Sequence, residues 1–149
     1  MTVNYIDSNI VTRGNVINWD VSNVTDMSSM FEGAEKFNNA TISNWNVSSV
    51  TNMSSMFAGA LVFNGNVSAW DVSNVENVSA MFKDTSKFKQ NLQSWNLQSN
   101  IIVDETRIKD IFSGAALMNQ QYICHNWTGI SGTVWKQYFN SLGFGFTCP

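Results

Sequence analysis

The chain has 149 residues, of which 44% are hydrophobic and 13% aromatic, so it is long and apolar enough to fold as one domain with a core. Only 13% of the residues are charged and the formal net charge is -3, with eight scattered lysines and arginines. We therefore expect no nucleic-acid partner, since phosphate binding favours a clustered basic face. No run of about 18 apolar residues occurs, so we also expect no membrane insertion.

Residues 1–15 precede the first clear repeat. Val3, Tyr5, Ile10 and Val11 are apolar, and Gly14 marks a turn. The segment lacks the basic and apolar regions of a signal peptide. Because a stack of repeats must cover its exposed ends, the segment is predicted to be an N-terminal cap that is partly strand.

A repeated unit dominates the chain. Residues 18–38 read NWDVSNVTDMSSMFEGAEKFN, and the pattern returns at 44–64 and, weakened, at 69–89, with an incomplete copy from Ser94. Each copy has one tryptophan near its start, and these are Trp19, Trp45, Trp70 and Trp95. Their spacings are 26, 25 and 25 residues. Repeats of this length stack, since each buries its apolar face only against its neighbours.

Each copy begins with a Trp-x-Val triplet, for example Trp45 and Val47 around Asn46. This period of two predicts a short strand whose tryptophan and valine share one face. The intervening residue is then expected to face away from the core. In the four copies this residue is Asp20, Asn46, Asp71 or Asn96.

A second apolar pattern follows each triplet. Met27, Met30, Phe31 and Ala34 fall at i, i+3, i+4 and i+7, which predicts a short amphipathic helix. Gly33 is expected to end that helix in a left-handed conformation. The later phenylalanines of the unit, Phe37, Phe63 and Phe88, are expected to return to the core.

The predicted fold class is therefore α/β: a leucine-rich-repeat-like solenoid of about four strand–short-helix coils with N- and C-terminal caps. The predicted units are the cap at residues 1–15, the repeat solenoid at 16–127 and a C-terminal cap at 128–149. Equivalent side chains of successive coils would lie about 4.8 Å apart in a parallel ladder.

Reactive chemistry is sparse in this sequence. The single histidine, His125, adjoins Cys124, and with Cys148 these residues offer three ligands at most, whereas zinc sites take about four. The Asp/Asn positions offer oxygens that suit Ca²⁺, but their alternation also avoids stacking like charges. We expect no catalytic residues, no metal and no cofactor.

The two cysteines, Cys124 and Cys148, allow two interpretations. A disulfide would close a loop of about 25 residues and contribute roughly 3 kcal/mol. Alternatively, both are buried free thiols, since cysteine is among the most buried residue types.

The pattern W-[DN]-V-S-x-V-T-x-M-S-S-M-F-x-G-A-x-x-F-N covers residues 16–89 closely and 92–127 in part. It resembles the repeat found in surface proteins and lipoproteins of mycoplasmas, lactobacilli and listeriae, usually grouped with BspA-like leucine-rich-repeat surface antigens. The resemblance implies a non-enzymatic repeat protein of the cell surface or extracellular space, with a role in adhesion. Related repeats occur in proteins of protists and large DNA viruses.

The leading hypothesis is a binding module that presents a polar face to a protein or glycan on a host or assembly surface. The candidate binding residues are Asn18, Asp20, Asn44, Asn46, Asp71 and Asn96. The alternative is a structural assembly subunit of a virus particle or surface array, which would place the protein in the virion.

Overall fold

The computed structural model describes residues 16–97 and 105–118. Within these ranges the only helices are short 3-10 helices, at Val16–Asn18, Ala40–Asn44 and Glu105–Arg107. Two isolated parallel bridges join Asp26 to Asn52 and Asn52 to Asn77. The described residues contain no α-helix and no extended strand, so the predicted α/β fold of strand–short-helix coils is wrong.

The described chain forms four stacked coils, each starting three residues before a repeat tryptophan: coil 1 is 16–41, coil 2 is 42–66, coil 3 is 67–91 and coil 4 includes the described residues 92–97 and 105–118. The amide of Met27 donates to the carbonyl of Asn52, and the equivalent amide of Met53 donates to Asn77, each over 2.8 Å. Each repeat is therefore hydrogen-bonded to the next at matching positions. The predicted caps, together with Cys124 and Cys148, lie outside the described residues.

The segment predicted to be helical is a ribbon of successive turns. In coil 1 alternate amides donate to coil 2 over 2.7–2.9 Å, and these donors are Met27, Ser29, Phe31 and Gly33. The intervening amides donate to the carbonyl three residues back over 3.1–3.3 Å, and these are Met30, Glu32 and Ala34. Half of the amides thus close turns within a coil and half join neighbouring coils.

Left-handed residues explain why no helix forms. Ser29 has φ 55° and Gly33 has φ 69°, whereas an α-helix needs φ of about -63° at every residue. The same two positions are left-handed in the other coils, at Ser55, Gly59, Ala80, Asp84, Asp110 and Gly114. Two left-handed residues four positions apart in each coil interrupt helical hydrogen bonding, while the methionine and phenylalanine side chains still point inward.

The Trp-x-Val triplet does not form a strand but leads into a turn, in which the amide of Val24 donates to the carbonyl of Val21 over 2.9 Å. The side chains nevertheless point as predicted, since Trp45 and Val47 are buried and Asn46 is exposed. Period two therefore describes which side chains point inward without requiring a strand.

The core is one apolar cluster that runs the length of the stack. Phe57 stacks on Phe31 with ring centroids 5.5 Å apart and on Phe82 at 5.8 Å. A second column places Phe63 5.8 Å from both Phe37 and Phe88. Aromatic rings contribute large buried area, so these columns bind each coil to its neighbours.

Candidate functional site

The six candidate binding residues, which we call the Asp/Asn face, are all exposed. The side chains beside them are stacked: Trp45 lies 6.1 Å from Trp19 and 6.4 Å from Trp70, measured between ring centroids. Asp20, Asn46 and Asp71 therefore occupy one position of three successive coils.

Each of these three side chains also closes a turn. Oδ1 of Asp20 accepts hydrogen bonds from the amide of Ser22 at 3.0 Å and from its hydroxyl at 2.6 Å. Asn46 accepts the same pair from Ser48 at 3.2 and 2.7 Å. These are Asx turns, in which an aspartate or asparagine side chain serves equally well. Turn formation thus accounts for the mixture of Asp and Asn at this position.

The same bond recurs elsewhere in the coils. The amide of Ser28 donates to Asp26 Oδ1 at 2.8 Å, and the corresponding bonds in coils 2 and 3 join Ser54 to Asn52 and Ser79 to Asn77. The sequence signal for these turns is an Asp or Asn two residues before a serine. It marks structural turns and does not by itself indicate a binding site.

The turn hydrogen bonds favour the ionised form of the carboxylates. The hydroxyl and then the amide of Ser22 lower the pKa of Asp20, and Ser73 acts in the same way on the pKa of Asp71. Burial raises the pKa of Asp26, but bonds from Ser28 and Asn52 help to give a net lowering. Among the described residues, no three His, Cys, Asp or Glu side chains gather in a way that would hold a metal ion.

A second surface feature has no counterpart among the sequence predictions. Among the described residues the exposed large hydrophobic side chains are Leu61, Val62 and Leu117, at 40%, 41% and 46% exposure. All three lie in the turn directly before the last buried core residue of a repeat, Phe63 or Met118. Exposed lysines, Lys36 and Lys87, occupy the position of Val62 in coils 1 and 3.

We call this row the apolar corner: Lys36, Leu61, Val62, Lys87 and Leu117. The amide of Val62 donates to the carbonyl of Glu35 at 3.2 Å, and the hydroxyl of Ser86 donates to the carbonyl of Leu61 at 3.0 Å. The turn in coil 2 is therefore bonded to both neighbouring coils, which holds the corner in place. The sequence could have indicated the corner, because coil 2 contains no charged residue. The turn before Phe63 is Leu-Val, whereas the equivalent turn of coil 1 is Glu-Lys.

In the part of the chain that the structure describes, no helix is long and apolar enough to cross a membrane. A family model described as "Mycoplasma protein of unknown function, DUF285" matches residues 3–127. The match includes all four coils and most of the segment that precedes them. No curated protein and no solved structure matches the chain.

Proposed function

The chain belongs to the DUF285 family of Mycoplasma proteins of unknown function, and we propose that it is a non-enzymatic binding module of the cell surface or extracellular space. Its partner is a protein or glycan, bound in an adhesion-type interaction. A place among the BspA-like surface antigens is part of this proposal and rests on the repeat pattern. The observation that carries the proposal is the apolar corner.

The corner supports binding because the repeat does not require apolar side chains at these positions. Leu61 and Val62 are about 40% exposed, whereas coil 1 uses Glu35 and Lys36 in the same turn. Removing apolar surface from water on contact with a partner is favourable by about 25 cal/mol per Å². Apolar side chains bordered by polar ones are typical of protein interaction sites.

The chemistry of the corner favours a protein partner. Lys36 and Lys87 lie on either side of Val62 along the stack, so a segment that offers apolar side chains together with carboxylates complements it. The Asp/Asn face stays a second candidate contact, with Asp20 and Asp71 carrying its negative charge. Its polar oxygens suit glycan hydroxyl groups, which are hydrogen-bond donors.

Two turn-preserving variants separate these surfaces. Leu61→Glu with Val62→Lys gives coil 2 the turn that coil 1 already has, and Asp20→Asn with Asp71→Asn keeps both Asx turns, as Asn46 does in coil 2. Binding is measured by surface plasmon resonance on immobilised fibronectin, collagen and mucin and on a glycan array. Melting temperatures close to that of the parent chain would establish that both variants fold.

We expect the corner variant to weaken binding to a protein probe by about tenfold or more, which corresponds to about 1.4 kcal/mol. The Asp/Asn variant should then bind almost as the parent does. Loss of binding only in the Asp/Asn variant would overturn the role of the corner and assign recognition to the Asp/Asn face. Concentration-dependent assembly without binding to any probe would favour the assembly-subunit alternative.

A further inference from the structure

The corner of every described coil is built as the same turn. In each coil the amide of the last core residue donates to the carbonyl three residues earlier, over 2.8–3.0 Å, and the donors are Phe37, Phe63, Phe88 and Met118. The two residues between acceptor and donor form the tip of the turn, and we call them the tip pair. The tip pairs are Glu35 with Lys36, Leu61 with Val62, Ser86 with Lys87, and Ala116 with Leu117. All of these residues are exposed except Ser86, which is half-buried.

The tip pairs form one row along the stack. Those of coils 1 to 3 directly precede an aromatic column, in which the ring centroid of Phe63 lies 5.8 Å from those of Phe37 and Phe88. Because these rings lie within 6° of parallel, the turns before them follow one another at a similar spacing. The row therefore presents an acid–base pair in coil 1, an apolar pair in coil 2, one lysine in coil 3 and an apolar pair in coil 4.

We propose that the partner of the apolar corner is a second copy of this chain, packed with each coil against the same coil of the other copy. A two-fold contact joins one patch to itself, so a residue that contacts another is contacted by it in return. An axis along the stack, between the two residues of each tip pair, places Glu35 opposite the second copy's Lys36. By the same geometry Leu61 lies opposite the second copy's Val62. This inference rests on the proposed function, in which the corner binds a protein, and it identifies that protein.

Charge favours this in-register arrangement over an antiparallel one. In register, opposite charges meet twice in coil 1, and Lys87 meets the uncharged Ser86. An antiparallel pair centred on coil 2 would set coil 1 against coil 3 and bring Lys36 opposite Lys87, and like charges across an interface are unfavourable. That arrangement would also bring Glu32 opposite Lys83, but both residues lie three positions before a tip pair.

The size of the row predicts a weak dimer. The tip pairs are two residues wide and four coils long, so the contact is smaller than a standard protein interface, and small interfaces belong to transient complexes. Burial of Leu61 and Val62, each about 40% exposed in the single chain, supplies the favourable term. The exposed pair of Glu35 and Lys36 adds little affinity but selects which surfaces meet.

Sedimentation velocity of the full chain at increasing concentration tests the dimer. We expect Lys36→Glu and Glu35→Lys each to raise the dimer Kd by about fivefold or more, because each sets like charges opposite one another. The double variant Glu35→Lys with Lys36→Glu exchanges the two charges and should dimerise as the parent does. An equimolar mixture of the two single variants should also dimerise. Lys83→Glu is the matched control, since it changes the net charge as Lys36→Glu does but lies outside the tip pairs.

A chain that stays monomeric at every concentration would overturn the proposal, and species larger than two copies would overturn a closed contact. A tighter dimer for Lys36→Glu, or a weaker one for Lys83→Glu, would overturn the in-register arrangement in favour of the antiparallel one. Probe binding keeps the two proposals separate. If the chain is monomeric but Leu61→Glu with Val62→Lys still weakens binding to a protein probe, only the dimer fails. If the dimer forms but that variant binds every probe as the parent does, only the adhesion partner fails.

Discussion

The indole Nε1–H of Trp70 donates a 2.9 Å hydrogen bond to the carbonyl of Ile42 in the preceding coil. Trp95 makes the same bond to Val67. In both cases the acceptor lies 28 residues before the tryptophan. Trp45 is the exception: its Nε1 is buried and has no partner among the described residues.

The missing bond of Trp45 coincides with one extra residue between Trp19 and Trp45, which are 26 residues apart, whereas the later repeat tryptophans are 25 apart. The position that corresponds to Ile42 and Val67 is Val16, 29 residues before Trp45. The added residue lies where the chain forms the 3-10 helix Ala40–Asn44, whose N-cap Asn39 accepts the amide of Thr41 at 2.8 Å. A change of one residue in repeat length therefore accompanies the loss of one interior hydrogen bond.

Phenylalanine substitutions should measure that bond. Trp70→Phe removes a satisfied donor, while Trp45→Phe removes one that is buried without a described partner. A net hydrogen bond contributes about 0.5–1.5 kcal/mol, so we expect Trp70→Phe to lose about 1 kcal/mol more unfolding free energy than Trp45→Phe. Urea unfolding with a fixed m-value provides the comparison, and Trp95→Phe should behave like Trp70→Phe. Equal losses at all three positions would show that the indole bond adds nothing.

Substitutions between glycine and alanine should test the left-handed positions. The effect of Ala→Gly on stability should depend on whether the residue has a positive φ. Gly33 has φ 69° and a Cβ added there would meet no atom within 4 Å, so Gly33→Ala should cost about 1 kcal/mol from backbone strain alone. Ala80 already has φ 53°, so Ala80→Gly should be neutral or stabilising. Ala58→Gly is the matched control, since it removes a buried methyl at a residue without positive φ. Thermal unfolding in which Ala80→Gly destabilises as much as Ala58→Gly would contradict the turn ribbon.

The sequence predicts a helix where the structure has a ribbon of turns, and this difference shows which features of the fold could be predicted from the sequence. The period and the inward-facing positions were predictable because Met27, Phe31 and Phe37 recur at fixed intervals, and all three are buried. The backbone conformation was not predictable, because methionine and phenylalanine side chains at this spacing point inward both in a helix and in this ribbon of turns. The deciding feature is the positive φ of Ser29, and serine has little preference for that conformation. Gly33 is typical of a helix end, whereas glycine or aspartate at its position sustains the ribbon in every described coil.

The candidate site shows the same limit. Alternation predicted that Asp20 and Asn46 would be exposed, and both are. It did not predict their bonds to Ser22 and Ser48, because an Asx turn depends on a residue two positions later and not on periodicity. The exposure of Leu61 could not be inferred from its residue type, since most leucines in a repeat of this kind would be assigned to the core.

The dependence of folding stability on pH should test the turns that Asp20 and Asp71 close. The Ser22 bonds lower the pKa of Asp20 in the folded chain below its unfolded value of about 3.9, and Ser73 does the same for Asp71. The ionised folded state is thus favoured above the unfolded pKa, and this stabilisation is lost as the pH falls through the lower, folded value. The loss therefore occurs below about pH 4.

Melting temperatures between neutral pH and pH 2–3 should show this loss in the parent chain. Asp20→Asn with Asp71→Asn keeps both turns without a titrating group, so its melting temperature should fall less over the same range. Glu32→Gln with Glu35→Gln removes the same charge from exposed residues of coil 1 and should leave the acid dependence of the two aspartates in place. Two-dimensional NMR titration of the Asp20 and Asp71 side chains gives the direct reading. Midpoints at or above the ordinary aspartate value would show that the serine bonds do not stabilise the carboxylates in solution.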